Sequence, residues 1–358
     1  MRRHRKHSKT VGGVSQPMTL RVSQCRAEIS HGHASFCRDL AHFPESTQGR
    51  ELAPVGNRVI YTRAWPEGLR FATPEHQVRY ERLSRLPFGQ TRFLDTSILR
   101  DLQQGDEFTA EVEDLISTGG WRQLLMTREP AIRELALEVL STFEFDRSYA
   151  SFDSVDAIQF RARGHHHCLS VTQFSIMLGL YEEAFTDTEE YSQLPTDYRG
   201  VLTLQRAYRI LCGQGQYEPG VSKATWLSRP AYRYQRALMS RSVSGRGDST
   251  GVLSLQELLY LYSMVQRIPI HLGHIIAEYI SHQGHYARFG AIFSGPYITR
   301  LALGMGLSDR VHEAEKINTS APLSLETMRL MGMVRRVRAG VYTLVLPAPE
   351  TAEEAEAS

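Results

Sequence analysis

Polar and apolar positions alternate in no sustained rhythm over residues 1 to about 60, where apolar residues come singly among Gly, Ser, Pro, His and Gln. Patterning begins near Tyr61. Thr73-Pro74 opens a charged helix, since Thr can cap and Pro suits a first turn. Val78, Leu83 and Leu86 are its expected buried positions, and Pro87 ends it. A helix over about Ala110 to Ile116 closes at Gly119-Gly120. Another opens at Pro130, with Ile132, Leu135, Ala136, Val139 and Leu140 at helical spacing.

Period-two alternation is clearest from Ala157 to Leu169. Ile158, Phe160 and Ala162 alternate with Gln159, Arg161 and Arg163. Gly164 marks the turn and His165 to Leu169 runs back as a second strand. Ser170 and Gln173 then form a capping box, with Leu169 packing on Phe174 as a hydrophobic staple. Pro230 starts a helix to about Val243. At ~100° per residue, Ala231, Tyr234 and Leu238 share one face while Arg233 and Arg236 take the opposite one. A second capping box, Ser254 and Glu257, begins LQELLYLYSMV, a helix apolar nearly all round and therefore central to a core. Helices follow to Ile280, over Tyr297 to Leu303 and over Leu325 to Arg338. Gly340 leads into a short strand from Val341 to Leu346. The fold class expected is mostly α (α+β): one α-rich domain over 61–346 with a small β-hairpin, between a disordered basic leader (1–60) and a disordered acidic tail (347–358).

Composition removes several classes. No apolar stretch approaches the ~18 residues of a membrane span, and four scattered cysteines do not build a disulfide scaffold. The basic start lacks the apolar core of a secretory signal. The expected setting is the nucleus or cytoplasm, with no membrane partner. Charge is unevenly placed. Arg2, Arg3, Arg5, Lys6 and Lys9 crowd the start, and Glu350, Glu353, Glu354 and Glu356 crowd the end. From Arg199 to Arg246 nine Lys or Arg residues face one acid, Glu218, with Tyr208, Tyr217, Trp226, Tyr232 and Tyr234 interleaved. Cations for phosphates and aromatic faces for bases are what single-stranded nucleic-acid sites use. Lys223, Arg229, Arg233, Arg236, Arg241 and Arg246 are the candidate contacts, with Arg229, Arg233 and Arg236 on one exposed side of the Pro230 helix. The alternative is a solvated face over an aromatic core.

Two histidine sets raise metal chemistry. His165 and His167, on one face of a strand, could chelate together. His271, His274, Glu278, His282 and His285 form one helix face about 80° wide. Neither set has the spacing of a known metal motif, and neither do Cys25, His31, His33 and Cys37. A solvated face is expected for the helix set, turn-exposed histidines for the strand set, and no metal or other cofactor. Arg246-Gly247-Asp248 is expected to be a turn. No Walker A loop, nucleophile elbow or zinc knuckle is present.

The segments SKAT (222–225), RYQRAL (233–238) and GRGDSTGV (245–252), followed by LQELLYLYSM, resemble plant retrotransposon proteins of the Athila type. Those are first-reading-frame products in the Gag position of gypsy-class elements. RFATPEHQVRYERL (70–83), LSVTQFSIMLGLY (169–181) and GPYITRLALGMGL (295–307) resemble the same family. The resemblance implies a non-enzymatic, Gag-like protein that binds RNA or other single-stranded nucleic acid, or that self-associates or assembles with other proteins. It supplies no catalytic residues. A metal-dependent enzyme using a histidine cluster and an inactive transposon relic remain the alternatives.

Overall fold

The structure is a computed structural model that describes residues 71–197, 203–213, 215–246, 251–286, 290–307 and 314–345. The chain divides at Ala53 and Pro54 into two units, and every described residue belongs to the second. The expected leader and tail, the Cys25–Cys37 set and Arg199 lie outside the described residues.

The fold is mixed α+β, with helix the larger share. Its first elements are α1 (Pro74–Ser84), β1 (Thr91–Phe93), α2 (Thr96–Leu99), α3 (Gly105–Leu115), α4 (Trp121–Leu125), β2 (Ala131–Ile132) and α5 (Arg133–Thr142). There follow β3 (Glu144–Phe145), β4 (Ile158–Ala162), β5 (His165–Leu169), α6 (Val171–Met177), α7 (Glu183–Thr186), α8 (Glu189–Ser192) and α9 (Leu204–Cys212). The remainder comprises α10 (Pro230–Arg241), α11 (Leu255–Gln266), α12 (Leu272–Tyr286), α13 (Gly295–Gly304), β6 (Lys316–Ile317), β7 (Ser320–Pro322), α14 (Leu325–Leu330), β8 (Val334–Arg338) and β9 (Val341–Leu344).

The local signals act as their chemistry dictates. The Thr73 side chain accepts from His76 N–H at the start of α1. Both capping boxes form, Ser170 with Gln173 and Ser254 with Glu257. Arg163 and Gly164 both take positive φ, 58° and 80°. A two-residue turn of that hand matches the right-handed twist of the strands it joins. Glu138 fixes this turn from α5: its carboxylate accepts from the Arg163 and Gly164 N–H groups at 2.6 and 2.7 Å. Burial pushes the Glu138 carboxyl up, and those two backbone bonds oppose the shift.

Helix α5 is the hub. Leu135 to Thr142 are all buried, and α1, β4, α12 and α13 pack around it. A second cluster gathers around α10, which packs on α3, α11 and β1. Buried side chains of both regions join one continuous core.

Several expectations are corrected. Val78 is 64% exposed, because α1 lies at the edge and only His76 and Leu83 are enclosed. The helix expected from Pro130 begins at Arg133, since Ala131 and Ile132 pair with Ile317 and Lys316 as a strand. The helix expected over Leu325 to Arg338 stops at Leu330; Gly332 takes φ 69° and the chain turns back as β8, paired with β9. Val334, Val337, Val341, Tyr342 and Thr343 are strand formers, and cross-strand pairing outweighs the helical spacing seen along one segment alone.

Candidate nucleic-acid interface

The basic segment folds differently from its expected form. Ala231 to Ser240 of α10 are buried on every side. Arg233 and Arg236 do point away from Tyr234, but a second layer meets them there. Arg233 is 8% exposed and Arg236 1% exposed, so the expected exposed stripe is not present. The two faces are opposite, as their angular spacing requires. The far face is nonetheless not solvated, because α10 is enclosed between α3, β1 and α11.

Each candidate contact has its own setting. The Arg236 Nε donates to Glu257 Oε2 at 3.1 Å and its Nη2 to the Val252 carbonyl at 2.6 Å. Arg246 Nη1 reaches the same Glu257 Oε2 and the same carbonyl, each at 3.2 Å. Glu257 is wholly buried and also accepts from Ser254 N–H at 3.0 Å, so one carboxylate caps α11 and neutralises two guanidinium groups. Burial lowers the Arg236 pKa, and Glu257 opposes that. Arg233 donates to the Val345 carbonyl, the backbone just past β9. Arg229 is exposed, pairs with Glu111 at 2.7 Å and lies 5.6 Å over the Tyr232 ring. Lys223 is exposed and its backbone bridges to Val252. Arg241, the last residue of α10, is half-buried. The six are therefore not one surface: three hold the interior together.

Open positive charge collects instead on the β8–β9 hairpin. Arg335, Arg336 and Arg338 are all exposed, and none lies within ion-pair distance of a carboxylate among the described residues. Arg336 Nε donates to the Arg338 carbonyl at 3.4 Å. The ribbon is docked through its other strand. Gln103 N–H donates to the Tyr342 carbonyl at 3.0 Å, and Thr343 Oγ1 to Gln104 Oε1 at 3.0 Å. Val334 and Thr343 are buried, while Val337 is 55% exposed between the arginines. Sequence reasoning expected the second strand, from Val341 to Leu346, but missed the first by continuing a helix to Arg338. Gly332 and the Ala339-Gly340 turn were the available signals.

The expected solvated histidine face is also corrected. His271 is fully buried and starts α12, its Nδ1 accepting from His274 N–H at 3.1 Å. Its ring centre lies 4.1 Å from that of Phe152 and 5.0 Å from that of Tyr191. Burial pushes its pKa down to about 3, so the ring is neutral. His274 is buried too and shares a 2.7 Å hydrogen bond with the Tyr149 hydroxyl. His285 meets Glu144 at 3.4 Å, and Glu278 pairs with Arg147 at 3.0 Å. On β5, His165 and His166 are exposed, while His167 stacks on Phe160. Among the described residues no three His, Cys, Asp or Glu side chains are gathered as metal ligands. No helix among them is long and apolar enough to cross a membrane.

Compared with protein-family models, with curated proteins and with solved structures, the chain matches none of them.

Proposed function

We propose that this chain is a non-catalytic, Gag-like domain, α-rich and acting in the nucleus or cytoplasm, that binds the phosphate backbone of RNA. The observation that carries the reading is the β8–β9 hairpin, with Arg335, Arg336 and Arg338 exposed and no carboxylate among the described residues within ion-pair distance of them. Exposed cations on a docked ribbon release counterions from a polyanion without having to break an internal ion pair first. Phosphate contacts position a nucleic acid and carry no base identity, so binding is broad across sequences.

The test is fluorescence anisotropy with a single-stranded RNA across a salt series. Replacing Arg335, Arg336 and Arg338 by Gln should weaken binding to all sequences alike. The slope of log K against log salt should flatten by about 0.7 for each phosphate no longer neutralised. Unchanged affinity and slope in the triple variant would remove the reading. A second reading, self-association, is favoured by Leu330 and Val337, which are 74% and 55% exposed beside the same ribbon. Sedimentation of a Leu330→Ser, Val337→Ser variant separates it: a loss of oligomer with RNA binding intact assigns the ribbon to assembly.

A further inference from the structure

One end of helix α3 holds the basic ribbon, and the other opens into a groove of opposite charge. Gln103 and Gln104, just before α3, bond to Tyr342 and Thr343 of the hairpin. Past the last residue of α3, the loop from Ser117 to Gly120 lines a cavity of about 410 Å³ together with Leu180, Tyr181, Phe185 and Leu194. Its apolar lining is fixed in place. The Tyr181 hydroxyl donates to the Ile270 carbonyl at 3.2 Å and accepts from the Leu272 N–H at 2.8 Å. Gly120 takes φ 82°, and a Cβ there would meet the Leu180 carbonyl at 2.7 Å, so the loop lies directly against the opposite wall. Glu182 and Glu190 line the same cavity, with Glu183, Asp187 and Glu189 beside them along α7 and α8. All of these acids are exposed, and no cation among the described residues lies within ion-pair distance of any of them. Arg267, the only basic residue among those lining the cavity, is already paired with Asp114 at 2.5 Å.

Groove and ribbon are complementary in charge and in shape of contact. The groove gathers carboxylates without a cation, and the ribbon gathers Arg335, Arg336 and Arg338 without an acid. Val337, 55% exposed between those arginines, supplies an apolar side chain for the aromatic cavity. Within one chain the two do not meet: α3 is 11 residues long and no hairpin residue lines the cavity. At 1.5 Å per residue that helix separates them by about 16 Å. We propose that the groove beside α7 and α8 receives the β8–β9 hairpin of a second copy of this chain. The contact is head-to-tail, so copies add one after another into a ring or a filament and do not stop at a two-fold pair. A ribbon seated in one groove buries less than the ~1,200 Å² of a stable interface, so the association is weak and steered by charge. This inference gives the self-association reading its second surface and rests on that reading. The same arginines then serve RNA or a second copy, and not both at once.

The experiment is sedimentation velocity on the full-length chain, free of RNA. At about 0.05 M salt the wild-type sedimentation coefficient should rise with protein concentration, and at about 0.5 M the rise should vanish because exposed charges are screened. Glu182→Lys with Glu190→Lys should weaken association by about tenfold or more, since like charges then face one another. Both side chains are exposed, so the variant should melt like wild type. The deciding arm mixes this groove variant with the triple variant carrying Gln at 335, 336 and 338. The first keeps a wild-type ribbon and the second a wild-type groove, so one intact contact remains. The mixture should form dimers and nothing larger, although each variant alone stays monomeric. If the wild type associates and the groove variant does so equally well, the groove is not the receiving surface and the proposal fails while self-association stands. A mixture that stays monomeric also overturns it. If the wild type is monomeric at every concentration, the self-association reading itself fails. Binding of a synthetic Arg-Arg-Val-Arg peptide to the groove in that case would assign the groove to a basic segment of another protein.

Discussion

Helix α10 and hairpin β8–β9 are both arginine-rich, and the chain uses them in opposite ways. In α10, Arg233 and Arg236 are enclosed, and Arg236 shares the buried Glu257 with Arg246. In the hairpin, Arg335, Arg336 and Arg338 stand in solvent. The sequence of α10 is the more suggestive of the two, with tyrosines set among its arginines, yet those tyrosines are core. What separates the regions is the number of layers. A two-stranded ribbon docked on one side leaves its long polar side chains free. A helix packed on several sides must satisfy every charge internally, and Glu257 is placed for that.

Four measurements break or sharpen this contrast, in order of decreasing effect. Glu257→Gln removes the carboxylate charge that Arg236 and Arg246 share, with Arg236 in the interior. The expected loss is about 3–5 kcal/mol, read from the shift in urea midpoint. A loss below ~1 kcal/mol would place the pair at the surface and erase the distinction.

His271 shows what an interior ionisable group does without a counter-charge: it stays neutral, with a pKa of about 3 against 6.5. The unfolded chain takes up a proton below about 6.5 that the folded chain refuses until about 3. Stability should therefore fall as pH drops through that window, by up to ~1.4 kcal/mol per unit and ~2 kcal/mol at pH 5. Asn accepts a capping hydrogen bond and does not titrate, so His271→Asn should flatten this limb relative to wild type. Parallel acid limbs would show that His271 is not held neutral.

Arg229 lies between the extremes, with an exposed pair to Glu111 at 2.7 Å. Arg229→Gln should cost ~0.2–1 kcal/mol at low salt and less at high salt. The smallest effect belongs to the hairpin. Gln at 335, 336 and 338 should change stability by less than ~0.5 kcal/mol per site, as exposed substitutions do. A larger drop in melting would mean that these arginines hold the ribbon down and are not available to a partner.

What could be read in advance divides along the same line. Caps were legible at Thr73, Ser170 and Ser254 because a cap is settled by residues three or four apart. The β4–β5 turn was legible because Gly164 and the flanking alternation are local. The role of Glu257 was legible only in part: its capping box could be read, while its guanidinium partners depend on how Val252, α10 and α11 meet. Exposure of Arg233 and Arg236 depended on β1 and α3, which lie more than a hundred residues earlier in the chain. The second strand of the hairpin was legible after Gly340, but β8 was hidden because helical spacing continued past Gly332, and a ribbon reveals itself only once both strands are considered together.

The short strands also set the order of events during synthesis. Thr91 of β1 pairs in parallel with Ser320 of β7, Ala131 pairs with Ile317, and Leu102 bridges to Tyr342. Each of these pairings joins an early residue to a late one, so none can form until nearly the whole domain has left the ribosome. With roughly 230 residues between Thr91 and Ser320 and about 5–20 residues added per second, β1 waits some 10 to 50 s for its partner. Arg92 spends that interval without the Pro322 carbonyl it donates to in the finished fold. The early half of the chain must therefore be kept from aggregating by its own helices, α1 to α6, before the late strands arrive.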